Sequence, residues 1–254
     1  MQPSPLAAGP RTGPALDPDL PGVPVHGFRG DAPVGRLTRP RGLTVAVSRE
    51  AGARGTTVAR KLAELLGWQV FDQETLDYLV QDDTARAQLL ADVPAAARAW
   101  ADAQIDRLRH EQRLTADPSA AAMVRLVLVV AARGDVVIVG RGAGYVLPPE
   151  TTLHARVVAP FEARVGYFAQ MLRLTREEAA AEVRTRDDRR AQFLSRTLFR
   201  DPADLYAYDV AVNSARLGIE GAAQFLGWAL RTKQLMAELD EQSAAPAIEE
   251  FTGS

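Results

Sequence analysis

Residues 49–57 combine glycines, arginines and hydroxyl side chains in an order that suits phosphate binding. The segment reads Arg49-Glu50-Ala51-Gly52-Ala53-Arg54-Gly55-Thr56-Thr57. It follows a β-branched run at 43–47 and precedes an amphipathic run that ends at Gly67. A strand, a glycine-bearing loop and a helix in this order direct backbone N–H groups towards an anion. An ordinary strand-to-helix turn that binds nothing is the alternative interpretation.

Four arginines at 184, 186, 189 and 190 form a second candidate group. Phosphoryl transfer needs mainly positioning and positive charge around a dispersed negative charge, and arginine supplies both through its two-pronged hydrogen bonds. The alternative is a solvated helix face on which these arginines pair with neighbouring carboxylates. The available carboxylates are Glu177, Glu178, Glu182, Asp187 and Asp188.

Asp72 and Arg141 each follow a short apolar run that predicts a buried strand. Taken alone, Asp72 is expected to cap the helix that begins near Gln73. The run from Gly140 to Gly144 has the glycine spacing of a dinucleotide-binding fragment. We predict that no helix opens there, because two prolines follow at 148–149, so a hydride-transfer enzyme is disfavoured.

The elements that must position these residues alternate along the chain. Strands are predicted at 43–47, 68–71, 135–140, 152–159 and 208–212, and helices at 73–80, 84–110 with a break at Pro94, 118–133, 161–173, 175–192 and 218–239. This alternation predicts a five-stranded, mostly parallel sheet with helices on both faces. The 48–57 loop, Asp72, the 140–144 loop and the segment after Val212 would then meet at the carboxyl ends of the strands.

The bulk composition excludes several classes of function. A net charge of −2 gives no drive towards nucleic acid or membrane surfaces, and the absence of cysteine excludes disulfides and thiolate chemistry. Three scattered histidines do not suggest a metal site, and charged residues interrupt the most apolar window, 120–139. No secretory signal is visible, so a cytoplasmic protein is expected. The proline- and glycine-rich residues 1–40 and the polar residues 240–254 are predicted to be flexible tails around a domain at 41–239.

Four segments taken together resemble the cytidylate-kinase-like family of P-loop nucleoside monophosphate kinases. They are Val47-Ser-Arg-Glu-Ala-Gly-Ala-Arg-Gly-Thr56, Phe71-Asp72, Val139-Gly-Arg-Gly-Ala143, and Arg184-Thr-Arg-Asp-Asp-Arg-Arg190 with the strand at 208–213 after it. The resemblance covers roughly 41–232 and implies a three-layer P-loop kinase fold with a helical lid and acceptor region. It implies that the first segment binds the donor phosphates, that an acceptor site lies between the second and third, and that the arginine-rich segment closes over the transferred group.

The resemblance therefore implies a kinase that uses ATP and Mg²⁺ to phosphorylate a nucleoside monophosphate, with CMP as a candidate acceptor. Its expected cofactor contacts are Arg49, Gly52, Ala53, Arg54, Gly55, Thr56 and Thr57, with Thr56 also on the metal. Asp72 and Arg141 are expected to bind the acceptor, and Arg184, Arg186, Arg189 and Arg190 are the expected catalytic residues. Neither a nucleic-acid polymer nor a membrane is expected as a partner.

Two positions depart from this pattern. A full phosphate loop reads Gly, four residues, Gly-Lys-Ser/Thr, and here these positions hold Arg49, Arg54, Gly55 and Thr56, so only the hydroxyl remains. Lys61 is a poor substitute, because it lies about 9 Å along the helix axis at 1.5 Å per residue. Cytidylate kinases also carry an aspartate where this chain has Gly142. A nucleotide-binding pseudokinase that acts as a regulatory module is therefore the alternative function.

Overall fold

The computed structural model describes residues 43–91 and 93–244, and the backbone alone for 238–244. The tail predicted at 1–40 and the final residues from 245 lie outside the described residues. The elements are β1 (Thr44–Arg49), α1 (Gly55–Leu66), β2 (Gln69–Phe71), α2 (Gln73–Gln81), α3 (Asp83–Ala91), α4 (Ala95–His110), α5 (Pro118–Ala132), β3 (Val136–Val139), α6 (Ala143–Val146), β4 (Thr152–Val158), α7 (Phe161–Leu172), α8 (Arg176–Leu198), β5 (Val210–Asn213) and α9 (Ser214–Ala244).

Five strands form one sheet in the order β2-β3-β1-β4-β5, and all four pairings are parallel. The prediction of a mostly parallel sheet is thus confirmed. β1 lies at the centre, where Val45 pairs with Val137 on one side and with Leu153 on the other. Because every strand runs the same way, the loops after β1, β2 and β3 emerge at one edge of the sheet.

Each face of the sheet carries its own hydrophobic core, because successive strand residues point to opposite faces. Val45 and Val47 pack with Leu62 of α1 and Leu226 of α9 on one face. Ala46 belongs to the core of the other face, which α5 dominates with ten buried residues. The two cores make a three-layer α/β arrangement, as the resemblance implied.

A helical hairpin of α7 and α8 stands beside the sheet and has a small core of its own. Phe168 of α7 packs there against Ala179 and Val183 of α8, and Ala51 from the loop after β1 joins them. α8 begins with the predicted capping box, in which the Thr175 side chain accepts from the Glu178 amide. The hairpin contains the arginine-rich segment 184–190, and it contacts the loop after β1 directly.

Three helix boundaries differ from their prediction. α8 continues six residues past 192 and ends where Phe199 adopts a left-handed conformation (φ 54°). α9 begins at Ser214 rather than 218, with a non-helical residue at Gly218, and it continues to Ala244. The prediction of no helix after Gly140 is wrong, because a single turn, α6, forms at Ala143–Val146 before the two prolines end it. None of the described helices is both long and apolar enough to cross a membrane.

Candidate active site

A cavity of about 930 Å³ opens at the edge of the sheet where β1, β2 and β3 end. The loop after β1, the starts of α1 and α2, the loop after β3 and the inner side of α7 and α8 surround it. The predicted site residues that line it are Arg49, Gly52, Arg54, Gly55, Thr56, Thr57, Asp72, Arg141, Arg186, Arg189 and Arg190. Two others do not. Ala53 is buried in the core beneath α1, and Arg184 is exposed with its guanidinium 4.8 Å from the centre of the Phe161 ring.

The loop after β1 presents the N-terminus of α1 to this cavity. Arg54 precedes the helix in a left-handed conformation (φ 57°) and makes no side-chain cap. The first helical hydrogen bond runs from the Val58 amide to the Arg54 carbonyl over 3.0 Å, so the amides of residues 55–57 precede the hydrogen-bonded part of the helix. Such amides and the positive end of the helix dipole are suited to a phosphate.

Gly52 allows this loop to approach α7 closely. Its φ of +78° lies in the left-handed region, and a Cβ atom there would lie 2.8 Å from the carbonyl oxygen of Arg164. On the other side of the loop, the Ala51 amide donates to Asp187 of α8 over 2.7 Å. Arg164 donates to the second oxygen of Asp187, and its own side chain is only 11% exposed. The loop is therefore held to both helices of the hairpin by one carboxylate.

Lys61 does not reach the cavity. Its Nζ atom lies 3.1 Å from both carboxylate oxygens of Glu64, one turn further along α1. Its absence from the cavity wall agrees with the expectation that Lys61 is a poor substitute for the missing loop lysine, and the cationic side chains that line the cavity are arginines.

The arginines of α8 divide between paired and unpaired positions. Arg186 donates to Glu182 over 2.6 Å within the helix, and Arg190 lies 3.4 Å from Asp187. Burial lowers the pKa of Arg190, and the positive charges of Arg186 and Arg164 lower it further against the opposing effect of Asp187. Arg189 has no ion pair among the described residues and faces solvent at the cavity wall. The interpretation of this segment as a helix face on which arginines pair with neighbouring carboxylates therefore fits Arg186 and Arg190 but not Arg189.

Arg141 follows β3 with a left-handed backbone (φ 52°), and its guanidinium pairs with Asp77 of α2. The same guanidinium lies 5.6 Å from the centre of the Phe193 ring on α8. Its Nε atom is buried and has no hydrogen-bond partner. Arg141 therefore joins the loop after β3, α2 and α8 at one corner of the cavity.

Asp72 caps α2, as its sequence position predicted. One oxygen accepts from both the amide and the hydroxyl of Thr75, and the other accepts from Arg60 over 2.6 Å. Burial alone would raise the pKa of Asp72, but these hydrogen bonds outweigh it and hold the pKa below its ordinary value. Asp72 also lines the cavity, so its predicted contact with the acceptor stays a prediction beside its observed role as a helix cap.

The Asp72→Ala variant is expected to lower the free energy of unfolding by about 1 kcal/mol at pH 7, the usual cost of losing such a cap. Because the folded-state pKa is depressed, this stabilisation exists above the unfolded pKa and is lost as pH falls through the folded value. Urea unfolding at pH 7 and at pH values below 4 measures the difference. Asp72→Asn, which keeps a capping side chain, is the control. Equal stability of Asp72→Ala and wild type at pH 7 would contradict the capping role.

Sequence reasoning missed Arg156 and Tyr208 in the cavity wall. Arg156 lies on β4 opposite Ser48 and donates to the Tyr208 hydroxyl over 2.7 Å. Behind them, His154 is bonded at Nδ1 to the Ala207 carbonyl (2.6 Å) and at Nε2 to the Ser48 hydroxyl (2.9 Å). Burial lowers the pKa of His154 to about 4, so the ring is neutral at pH 7. The sequence does contain a signal that could have identified Arg156, because this charged residue lies within the apolar run 152–159.

Comparison with known proteins decides the family. The profile of the cytidylate kinase-like family matches residues 44–216, from β1 into the start of α9. The chain belongs to this family. It is 26% identical over 180 residues to a cytidylate kinase of Ignicoccus hospitalis, covering 71% of this chain and 94% of that protein. A cytidylate kinase of Haloarcula marismortui is 25% identical over 179 residues, covering 70% and 84%.

Among solved structures, an uncharacterized protein from Eubacterium ventriosum ATCC 27560 has a similar fold, with a TM-score of 0.59 at 16% identity. The similarity covers 75% of this chain and 99% of that protein. The family match includes the loop after β1, the loop after β3 and the α7–α8 hairpin, which are three of the parts that enclose the cavity.

Proposed function

We propose that this protein is an ATP-dependent nucleoside monophosphate kinase, with CMP as the first candidate acceptor. The observation that carries the proposal is the shared cavity, where the N-terminus of α1 faces arginines from the loop after β3 and from α8. Amides at a helix N-terminus suit the donor phosphates, and arginines on the facing walls suit an acceptor phosphate and a transferred group. Membership of the cytidylate kinase-like family supports the same reaction.

The residues divide by their place in the cavity. The donor phosphates would contact Gly52, Arg54, Gly55, Thr56 and Thr57, and the acceptor phosphate would contact Arg141. Arg186, Arg189 and Arg190 would stabilise the transferred phosphoryl group, whose charge is spread over three oxygens during an in-line displacement. These residues supply position and charge, and the fixed backbone amides need no reorganisation during the step.

Mg²⁺ fits this cavity through oxygen ligands. It binds nucleotide enzymes through phosphate oxygens, water and one or two protein oxygens, so it needs no all-protein cage. The half-buried Thr56 hydroxyl lies at the start of α1, and the carboxylates of Glu74 and Asp188 also line the cavity. No cluster of three or more metal-binding side chains occurs in the part of the chain that the structure describes. Bound Mg²⁺ would neutralise charge on the phosphates.

The acceptor base would be recognised differently from that of cytidylate kinases that carry an aspartate at the position of Gly142. A Cβ atom on Gly142 would overlap with Leu198 of α8 and would lie 3.3 Å from Leu194. An aspartate at this position would therefore require the Leu198 side chain to move. For this reason the proposal includes a panel of monophosphates and not CMP alone.

Calorimetry with ATP–Mg²⁺ and, separately, with CMP, UMP, AMP and GMP tests this assignment. We expect one site for ATP–Mg²⁺ and one site for at least one monophosphate. Failure of every monophosphate to bind would overturn the kinase assignment, since a kinase needs an acceptor site.

A nucleotide-binding pseudokinase is the second candidate, and the absence of a lysine at position 55 favours it. This function predicts that ATP–Mg²⁺ raises the melting temperature, because it binds the folded state, while no monophosphate is phosphorylated. The two candidates therefore differ in turnover, and they share the expectation of nucleotide binding.

A further inference from the structure

Gly55 occupies the position of the phosphate-loop lysine, and the structure gives a steric reason for a glycine there. Its backbone is helical, so conformational freedom does not require glycine. A Cβ atom on residue 55 would lie 2.5 Å from the Cβ and 3.0 Å from the Cγ of Arg49. These distances are well inside normal carbon contact. The stem of Arg49 thus fills the space in which a side chain at position 55 would begin.

The other end of the Arg49 side chain also lies against a glycine. A Cβ atom on Gly140, whose φ is +84°, would overlap with Nη1 of Arg49. The second guanidinium nitrogen, Nη2, donates to the side-chain oxygen of Gln73 over 3.3 Å. The side chain therefore crosses from the end of β1 over the end of β3 towards α2, between the donor loop and the proposed acceptor corner.

The Arg49 guanidinium forms no direct ion pair with any of the described acidic side chains, and Gln73 is its hydrogen-bond partner. Burial lowers the pKa of Arg49 to about 10, with further lowering from the positive charges of Arg190 and Arg141 and a smaller opposing effect of Asp72. The group stays protonated at pH 7. Arg49, Arg141 and Arg190 therefore repel one another across the cavity, and a bound anion would reduce this repulsion.

We propose that Arg49 takes the place of the missing phosphate-loop lysine and binds the phosphoryl group that is transferred. The inference rests on the proposed kinase function and names the residue that completes its donor site. An oxygen of the acceptor phosphate forms the new bond to the γ-phosphorus of ATP. The bond from that phosphorus to the β–γ bridging oxygen breaks, and the electron pair leaves with ADP. Arg49 keeps its proton throughout and supplies two hydrogen bonds and charge.

Arg49→Met tests this role, because methionine keeps much of the apolar stem and removes the charge. We expect kcat to fall about 100-fold, as when one preorganised donor to developing charge is removed, while calorimetric CMP affinity changes less than threefold. Arg196→Met, an exposed arginine on α8 outside the cavity, is the matched control and should retain wild-type kcat. A kcat of Arg49→Met within threefold of wild type would overturn the proposal.

Exchanging the two positions gives a second test. Gly55→Lys alone should lose activity, because the new side chain meets the Arg49 stem. Arg49→Gly with Gly55→Lys restores the first glycine and the lysine of the usual loop, while Arg54 still occupies its second glycine position. This variant should be at least tenfold more active than Arg49→Met, provided that its melting temperature shows a folded protein. If Gly55→Lys alone has wild-type activity, the steric argument is wrong.

The kinase assignment and the role of Arg49 are tested by different measurements. If wild type binds ATP–Mg²⁺ but phosphorylates no monophosphate, the kinase assignment fails. The role of Arg49 is then judged by ATP affinity in calorimetry. A tenfold or greater loss in Arg49→Met would support phosphate binding by this residue, and unchanged affinity would overturn it.

Discussion

Combined replacement of Arg189 and Arg190 by methionine is expected to lower kcat about 1,000-fold. Arginines that stabilise a transferred phosphoryl group are worth about 10³–10⁵ in kcat, and these two approach the cavity from α8. Arg189 has no ion pair among the described residues, and Arg190 has a single long contact with Asp187. Most of their charge is therefore available to a substrate, whereas Arg186 shares its charge with Glu182 at close range.

Steady-state kinetics with ATP–Mg²⁺ and the best acceptor measure this effect, and circular dichroism confirms that the variant is folded. Arg196→Met, on the same helix but outside the cavity, controls for the loss of positive charge from α8. An effect below tenfold in a folded double variant would show that this part of α8 is a solvated charged face.

Asp187→Ala is expected to lower the free energy of unfolding by about 2–4 kcal/mol. Removing one partner of a buried ion pair usually costs about 3–5 kcal/mol, and the 32% exposure of the Asp187 side chain reduces this cost. The change leaves Arg164 buried, with Glu50 at 3.5 Å as its remaining ion pair. It also removes the acceptor of the Ala51 amide, so the loop after β1 loses its connection to α8.

Thermal unfolding should show a decrease of about 4–16 °C in Tm, at about 2–4 °C per kcal/mol for a domain of this size. Asp188→Ala is the matched control for stability, because Asp188 is exposed and has no ion pair within the described part of the chain. Equal Tm values for the two variants would contradict the role of Asp187 as the residue that holds the loop to the hairpin.

The sheet and most helices were predictable because their signals are local. The aliphatic run 136–139 becomes β3, a fully buried strand in the interior of the sheet, and Asp117 with Pro118 marks the start of α5. Pro94 separates two helices as expected, because its ring cannot continue the preceding helix. The loop at 49–57 was identified from its position between a strand and an amphipathic helix, which the structure confirms.

The contacts that complete the cavity were not predictable, because they join residues far apart in sequence. Asp187 binds the amide of Ala51 across 136 positions, and strand register places Arg156 beside Ser48. The sequence shows Gly55 in place of a lysine but does not show that the Arg49 stem fills the same space. That relation depends on how β1 and α1 meet, which periodicity does not encode.

The most direct test of the account is the formation of nucleoside diphosphate from ATP–Mg²⁺ and each monophosphate, measured by chromatography of the products. We predict that ADP and one nucleoside diphosphate form in equal amounts with at least one acceptor, and that the Arg189→Met, Arg190→Met variant forms about 1,000-fold less per second. No turnover with any monophosphate, or turnover equal to that of the double variant, would contradict the central claim that this cavity transfers a phosphoryl group.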